Sequence, residues 1–582
     1  MAGALIGLSM GLPWLGALLV WAVGDHRPRP QHALAVTFAI LAALTALALI
    51  PLYQADAALR VNAGGVFGEF TFVPDGLGVF LAAVATVIGS LAVIFSVDYM
   101  RGAAQRGRYY ALVLLFIGAM VGLVLAGSLL LLFIFWEMTA LCSYALISFY
   151  NDDPKAVAGG IKALVMTQVG GVGLLAGALL TYAYLGDTQI ETLLARGATL
   201  PSSVLATLAF GGLIAAAAKS AQVPFHTWLP GAMEAPSPVS ALIHAATMVN
   251  AGVYLLARFY PLFSQVEGWT TAVTVVGLVS ALLAALMATV AHDLKRALAY
   301  STVSQLGYMV YAVGVGAIFA SQFHLLSHAV FKALLFLAAG AVIHSVGTRD
   351  MRQMGGLGKQ MPFTRHVFAI GALALAGVPI LNGFWSKELI LEQGLHDGPA
   401  WAYGGMLLGA GITALYTLRM TWLVFYGRAN FRGHAHDAGP AMRLATGVLA
   451  AGALSTWLLI GLFGNLLEKS LPFHHLHVEA GLTLIEEIVT AGPTLLALTV
   501  VALGGLAWWY RANFGLVHDL LAPVGRAAAA DFGFERLNAR AALATVRAAE
   551  ALRTTQTGRL NWNVLGILGG LIAVLGVLAW GA

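Results

Sequence analysis

The sequence holds one cysteine in 582 residues, Cys142, and it lies inside an apolar run. A single thiol excludes an intrachain disulfide. It also excludes a cysteine-ligated iron–sulfur cluster or thiolate zinc site, which need several cysteines. Charge is equally scarce: 10% of the residues are Asp, Glu, Lys or Arg, against about 25% in a soluble globular protein. The net charge of +5 is small, and no basic patch is interleaved with aromatic residues, so nucleic acid is not an expected partner. No nucleotide or cofactor motif is visible. The first apolar run, from about residue 3 to residue 23, lacks a basic leader and a small-residue cleavage site. It reads as a first transmembrane helix rather than a cleaved signal.

What the chain has instead is hydrocarbon, with 59% hydrophobic residues and a mean hydropathy of +0.84. Apolar runs lie near 4–23, 33–52, 77–99, 109–127, 128–150, 160–184, 204–222, 239–262, 270–290, 296–315, 319–345, 364–394, 402–426, 444–465, 488–510 and 561–581. They predict an all-α polytopic membrane protein of about 16 transmembrane helices, since ~20 apolar residues cross a bilayer core. If both termini face outward, the inner loops hold Arg27, Arg29, Arg101, Arg106, Arg108, Lys295, Arg296, Arg349, Arg352, Lys359, Arg365, Arg428, Arg432 and Arg443. The outer loops hold little beyond Arg60, Arg196 and Lys469, as the positive-inside rule requires. Residues 511–560 are Ala/Arg-rich, with Arg526, Arg536, Arg540, Arg547 and Arg553 among apolar residues. This pattern predicts an amphipathic lateral helix, either in the headgroup region or as a strap along neighbouring subunits.

Two spans are interrupted by Pro and Gly. The first break is Gln222-Val-Pro-Phe-His-Thr-Trp-Leu-Pro-Gly-Ala-Met-Glu-Ala-Pro-Ser-Pro238, with Lys219 before it and His244 after. The second is Ala376-Gly-Val-Pro-Ile-Leu-Asn-Gly-Phe-Trp-Ser-Lys387. Non-helical backbone at membrane depth is tolerated only inside protein or beside water, and paired broken helices point to an ion path. The plainer alternative is two packing kinks.

Against this background the buried charges stand out. A charge at the bilayer centre costs about 2.5–3.5 kcal/mol even on lenient scales. Glu137 is read as the carboxylate that holds Lys219 charged, with a structural carboxylate as the alternative. His324, His328 and Lys332 recur at i, i+4 and i+8 and form one polar stripe on an apolar helix. The zinc reading of two histidines at this spacing is weaker than a relay of titratable groups, because the stripe ends in lysine. Lys387 with Glu388 follows the second break. Lys295 starts a helix, and a plain loop charge suits it nearly as well. His474, His475 and His477 form an outer-loop cluster, read as adventitious metal binding or plain solvation rather than function.

At these motifs the chain resembles the antiporter-like membrane subunits of the complex I superfamily. The resemblance is to the L-type (subunit 5) pump of NADH–quinone oxidoreductase and to the A subunit of Mrp cation/proton antiporters. The residues that carry it are Trp136-Glu137, Ala218-Lys-Ser-Ala-Gln-Val-Pro-Phe-His-Thr-Trp-Leu-Pro230, Pro238-Val-Ser-Ala-Leu-Ile-His-Ala-Ala-Thr-Met248, Asp293-Leu-Lys-Arg-Ala-Leu-Ala-Tyr-Ser-Thr-Val-Ser-Gln-Leu-Gly307, His328-Ala-Val-Phe-Lys-Ala-Leu and Gly383-Phe-Trp-Ser-Lys-Glu388. Gly533-Phe-Glu-Arg-Leu and Gln556-Thr-Gly-Arg-Leu also look L-type.

The resemblance implies an antiporter-like fold with two inverted five-helix repeats. Glu137 and Lys219 would be the ion pair of the input half-channel, and His244, His324, His328 and Lys332 the central axis. Lys387 would serve the output half-channel. The expected division is 1–108 (N-terminal helices and an outer loop), 109–262 and 263–427 (the two half-channel repeats), 428–510 (C-terminal helices), 511–560 (lateral segment) and 561–582 (final span).

The implied function is proton translocation in a complex I-type or related redox complex, as a non-redox pump subunit of a translocase. Flavin, iron–sulfur clusters and quinone would sit in partner subunits, with no cofactor or metal in this chain. The alternatives are an Mrp-type antiporter subunit, moving protons against sodium ions without redox chemistry, and an ion-driven inorganic-carbon uptake subunit. Expected partners are lipid and other membrane subunits, homologous antiporter-like ones included, in a bacterial or archaeal plasma membrane. Two departures matter. L-type subunits read Thr-Arg-Val-Gly-Asp where Thr167-Gln-Val-Gly-Gly171 lacks both charges and is closer to the Mrp A subunit. Gly231 stands where Asp is usual.

Overall fold

The computed structural model describes residues 2–52, 58–64, 68–468, 486, 488, 492–513, 515–553 and 568–570. Lys469, the His474, His475 and His477 cluster, the Gln556-Thr-Gly-Arg-Leu motif and nearly all of the expected 561–581 span lie outside the described residues. Among the described residues, 13 helices are long and apolar enough to cross a membrane.

The N-terminal helices are α1 (Ala2–Val23), α2 (Pro28–Leu47), α3 (Gly76–Tyr99), α4 (Arg106–Leu125), α5 (Leu129–Ile147), α6 (Pro154–Leu185), α7 (Ile190–Arg196) and α8 (Ser202–Lys219). After the first break come α9 (Trp228–Gly231), α10 (Ser237–Ala241), a π turn at Leu242–Ala246, and α11 (Asn250–Phe263). Next are α12 (Trp269–Val290), α13 (Leu294–Gly314), α14 (Ile318–Val346), α15 (Pro362–Ala376), α16 (Asn382–Asp397), α17 (Ala400–Thr421), α18 (Pro440–Ser455), α19 (Ile460–Glu468) and α20 (Gly492–Trp509). The expected run at 364–394 is two helices, α15 and α16. The run at 296–315 is α13, a helix too rich in Ser, Thr, Gln and Tyr to qualify on hydropathy.

Helix starts follow the capping residues. Asp75, Ser128, Asp153 and Asp293 each accept a main-chain N–H from the first turn of α3, α5, α6 and α13, which satisfies donors that have no partner within the helix. Pro154 and Pro362 occupy first-turn positions where the missing N–H costs nothing.

One element departs from the all-α expectation. Residues Leu59–Gly64 (β1) and Gly68–Phe72 (β2) pair as an antiparallel hairpin between α2 and α3. The hairpin stitches one end of the helix array together. Gly127 N donates to Thr71 O (2.7 Å), Ile190 N to Gly127 O (2.9 Å) and Leu129 N to Thr188 O (2.8 Å). The opposite end holds the Arg-rich loops. There Arg349 pairs with both Glu234 (2.9 Å) and Asp293 (3.1 Å).

Helices α12 and α13 approach to backbone contact. A Cβ on Gly277 would lie 2.7 Å from the Gly307 carbonyl oxygen, and one on Gly307 would lie 2.6 Å from that of Gly277. This small-residue packing is typical of membrane helices.

The chain divides into two compact units, Met1–Gly525 and Arg526–Ala582. The lateral segment expected at 511–560 is not one helix. Helices α21 (Gly515–Ala529) and α22 (Phe534–Arg553) are separated where Asp531, Phe532 and Gly533 take φ of 54°, 47° and 84°. No residue of α22 is buried.

Candidate functional site

The first break begins at the last residue of α8, Lys219. Ala221 turns the chain with φ 50°, and Pro224, after a cis peptide bond, has no N–H to continue a helix. The freed main-chain groups find partners. Trp228 Nε1 donates to Ala218 O (2.9 Å), Ser220 Oγ to Val249 O (2.6 Å), and Ser280 Oγ accepts from Val223 N (2.9 Å). Gln222 Nε2 reaches Ser220 O (2.9 Å). This is how irregular backbone survives at such depth. The Lys219 amine donates to Trp136 O at 2.7 Å and lies 4.8 Å from the centroid of the Trp136 ring.

Glu137, the next residue on α5, is half-buried and sits beside Gln168 and Gly171 of α6. It lies within the electrostatic reach of Lys219 but not within ion-pair distance. A Cβ on Gly171 would fall 2.3 Å from Glu137 Oε1. The two positions where the sequence lacks the expected Arg and Asp therefore both face this carboxylate, and the glycine leaves it room.

Beyond the break, the π turn carries His244 between the rings of Trp228 and Phe336, with centroids 6.3 and 5.6 Å away. The residue is fully buried, and neither ring nitrogen has a hydrogen-bond partner among the described residues. His328 on α14 is buried against the Ala245 backbone of that turn. Lys332, one turn further on, donates to Ser301 Oγ and to Leu298 O (3.4 Å) on α13. His324, one turn back, bridges two helices. Its Nδ1 meets Ser386 Oγ (2.9 Å) on α16, and its Nε2 meets Gln305 Oε1 (3.1 Å) on α13.

The second break is short. Gly377 (φ 84°) ends α15, Ile380 takes φ 77°, and α16 starts at Asn382. Lys387 reaches back across it to donate to Leu375 O at 2.8 Å, with the Tyr308 ring centroid 5.8 Å away. Glu388 is buried near Thr494 of α20. Lys295 donates to Ala235 O (2.6 Å) in the first break and sits beside Glu234, Asp293 and Arg349. It is thus tied to the break, not to loop solvent.

The four lysines share one environment. Each is buried, each donates to a main-chain carbonyl, and among the described residues none has a carboxylate within ion-pair distance. A carbonyl accepts from an ammonium and, more weakly, from a neutral amine, whereas a carboxylate strongly favours the ammonium. Such a lysine can change protonation without losing its partner.

Sequence reasoning did not single out Ser301, Gln305, Tyr308 or Ser386, which supply the links between these groups. The polar run Ser301-Thr-Val-Ser-Gln305 inside an apolar segment is the signal that marks them. Arg258 was also passed over, although it interrupts the apolar run of α11.

Comparison with known proteins follows the same residues. The family described as NADH:quinone oxidoreductase/Mrp antiporter, TM, matches residues 126–413, and complex I chain 5 N-terminus matches residues 61–110. The chain is 42% identical over 392 residues to NAD(P)H-quinone oxidoreductase chain 5 of Synechocystis sp., covering 65% of this chain and 57% of that protein. It therefore spans a little over half the length of that relative. It is 38% identical over 523 residues to NADH-quinone oxidoreductase subunit L of Mycobacterium tuberculosis, covering 87% of this chain and 82% of that one. Its fold matches a chain of the Mrp complex from Dietzia sp. with a TM-score of 0.83 at 29% identity, over 99% of this chain and 63% of the other.

Proposed function

The chain belongs to the family of NADH:quinone oxidoreductase/Mrp antiporter membrane subunits, and from that membership we propose that it translocates protons as the antiporter-like subunit of a multisubunit membrane complex. The observation that carries this reading is the row of four buried lysines between two broken helices, each held on a main-chain carbonyl. Glu137 and Lys219 form the input side. His244, His328, Lys332 and His324 form the axis, and Lys387 with Glu388 the output side. Lys295 couples the axis to the first break.

The chain lies in a bacterial or archaeal plasma membrane with both termini outside. Its helices form two inverted five-helix repeats, with about 16 spans in all. Moving one proton against 100 mV costs ~2.3 kcal/mol, so the energy comes from a partner. A complex I-type assembly, with flavin, iron–sulfur clusters and quinone in other subunits, is the first reading. Its support is the match over most of subunit L.

The second reading is an Mrp-type assembly exchanging protons for sodium ions. Gln168 and Gly171 beside Glu137 favour it, as does the fold match to an Mrp chain. Purifying the native assembly and identifying its subunits decides between them. Flavin and iron–sulfur subunits support the first reading, and small antiporter subunits the second. Lys219→Ala with assembly intact and coupled proton transport unchanged would sink both.

A further inference from the structure

A cavity of about 680 Å³ opens at the hairpin end of the molecule. Arg60 and Glu69 of the hairpin, Gln189 and Glu191 of the α6–α8 connection, and Gln265 beyond α11 line it. Asp75 and Arg258 also line it, but their side chains are only 14% and 9% exposed, so they form its floor. The pair is bidentate: Arg258 Nη2 donates to Asp75 Oδ1 at 3.0 Å, and Nη1 to Oδ2. Asp75 has a second hold, the Gly78 N–H at the start of α3 (2.8 Å).

Behind the floor the polar groups continue inward. Asn250, Tyr254 and Arg258 recur at i, i+4 and i+8 along one face of α11, a run of about 12 Å. Arg258 Nε donates to Tyr254 Oη (3.3 Å), which itself donates to Val124 O (3.1 Å). Asn250 Nδ2 donates to Ala245 O (2.9 Å) in the π turn that holds His244. The Asn250 Oδ1 and both His244 ring nitrogens have no hydrogen-bond partner among the described residues. They are the unpartnered polar atoms that a water entering between the floor and the lysine row would meet.

We infer that this cavity is an outer mouth of the ion pathway and that the Asp75–Arg258 pair is its gate. The inference rests on the transport reading and the orientation proposed above. When the pair is closed, water in the cavity ends at the guanidinium. When it parts, water joins Tyr254, Asn250 and the turn carrying His244, and a hydrated proton or small cation passes between the cavity and the axis. Arg60 pairs with Glu69 (3.6 Å) and Arg258 with Asp75, so Glu191 leaves the lining one net negative charge, the sign that favours cations. A buried ion pair is a poor source of stability, and α3 already has its cap in Asp75. The pair's place between an open cavity and a fully buried helix is therefore better explained by control of water.

Cys142 is buried, so introduced cysteines report on access. In the native assembly reconstituted in vesicles, Gln265→Cys is treated from the outer side with a charged, membrane-impermeant thiol reagent, with exposed Ser203→Cys as control. The expected result is labelling of both, with at least a fivefold loss of coupled proton transport in Gln265→Cys alone. Labelled Gln265→Cys with unchanged transport overturns the proposal, and so does failure to label. Asn250→Cys is expected to label only when combined with Asp75→Asn, and equal labelling with and without Asp75→Asn removes the gate. Should Asp75→Asn fail to assemble, Arg258→Lys, which loses the bidentate hold on Asp75, takes its place in the Asn250→Cys arm. Lys219→Ala in the same vesicles tests the transport reading separately. If it abolishes transport while the Gln265→Cys arm fails, only the mouth is lost.

Discussion

The break after α8 runs from Ser220 to Pro236, and the break after α15 only from Gly377 to Leu381. The first is buried over most of its length and tied by Trp228, Ser220, Gln222 and Ser280 to the surrounding main chain. The second leaves Ile380 68% exposed with φ 77°. In the first, the lysine precedes the break and leans on a neighbouring helix. In the second, it follows the break and leans on the helix just left. The backbone paths have little in common, yet both deliver a buried amine to a carbonyl oxygen. What the two halves reproduce is the surroundings of the amine, and the local route to it is free to differ.

Four tests, with six substitutions among them, probe that equivalence. The largest effect is expected from the lysines themselves. Lys219→Ala and Lys387→Ala should each reduce coupled proton transport more than tenfold, read as dye quenching in vesicles with assembly checked on native gels. If the two halves work in series, the double variant is no worse than either single one. A roughly twofold loss in each single variant would mean parallel routes and would break the comparison.

Gly383→Ala comes next. Its Cβ would sit 1.9 Å from the Ala374 carbonyl oxygen, and overpacking against backbone costs about 1–3 kcal/mol or more. The purified complex should melt lower. Gly171→Ala on α6 meets the end of the Glu137 side chain at 2.3 Å and Phe133 at an ordinary 3.8 Å, with no backbone in the way, and should melt close to the parent. Equal melting would remove the steric contrast between the halves.

Trp228→Phe deletes the donor to Ala218 O, which keeps only the longer bond from Ala221 N (3.4 Å). The lost bond and the space left by the smaller ring cost about 1–3 kcal/mol, and among the described residues the second break has no matching indole bond to lose. An unchanged melting temperature would show that water takes the place of the indole.

The smallest effect is expected at Asp437, whose carboxylate accepts from Phe363 N (2.8 Å) and Thr364 N (3.1 Å) at the start of α15. Burial opposes its charge. The hydrogen bonds from Thr364 and from the backbone of Ala438, Phe363 and Thr364 outweigh burial and hold it below the usual carboxylate range. Its contribution is therefore present at neutral pH and lost as pH falls through the lowered value. Asp437→Ala should cost about 0.5–2 kcal/mol and flatten the acid side of the melting curve. A parallel acid decline in parent and variant would assign that decline to other groups.

The helices were legible because a bilayer demands long apolar runs, and the capping Asp and Ser residues mark their ends. Helix α13 was legible in the run at 296–315 even though its polar face, buried against α14 and α16, lowers its hydropathy. The lysines were legible because a charge in hydrocarbon is costly wherever it stands. Their partners were not. A carbonyl belongs to every residue, and nothing in the sequence says that Trp136, Ala235, Leu298 and Leu375 supply the ones that matter. The hairpin was also missed, being short, although Glu69-Phe-Thr-Phe72 alternates as a strand should. The expected direct contact of Glu137 with Lys219 is replaced by one residue's offset, which pairing by charge alone could not foresee.

The meshing of α12 and α13 through Gly277 and Gly307 has a mechanical consequence. Two helices in backbone contact resist tilting against each other, because a tilt drives the Cα face of each glycine into the other helix's main chain. The pair carries Ser301, Gln305 and Tyr308, the wall against which Lys332, His324 and Lys387 rest. In the transport reading proposed above, this wall would move as one piece, with side-chain rotation and the two breaks on either side as the adjustable parts.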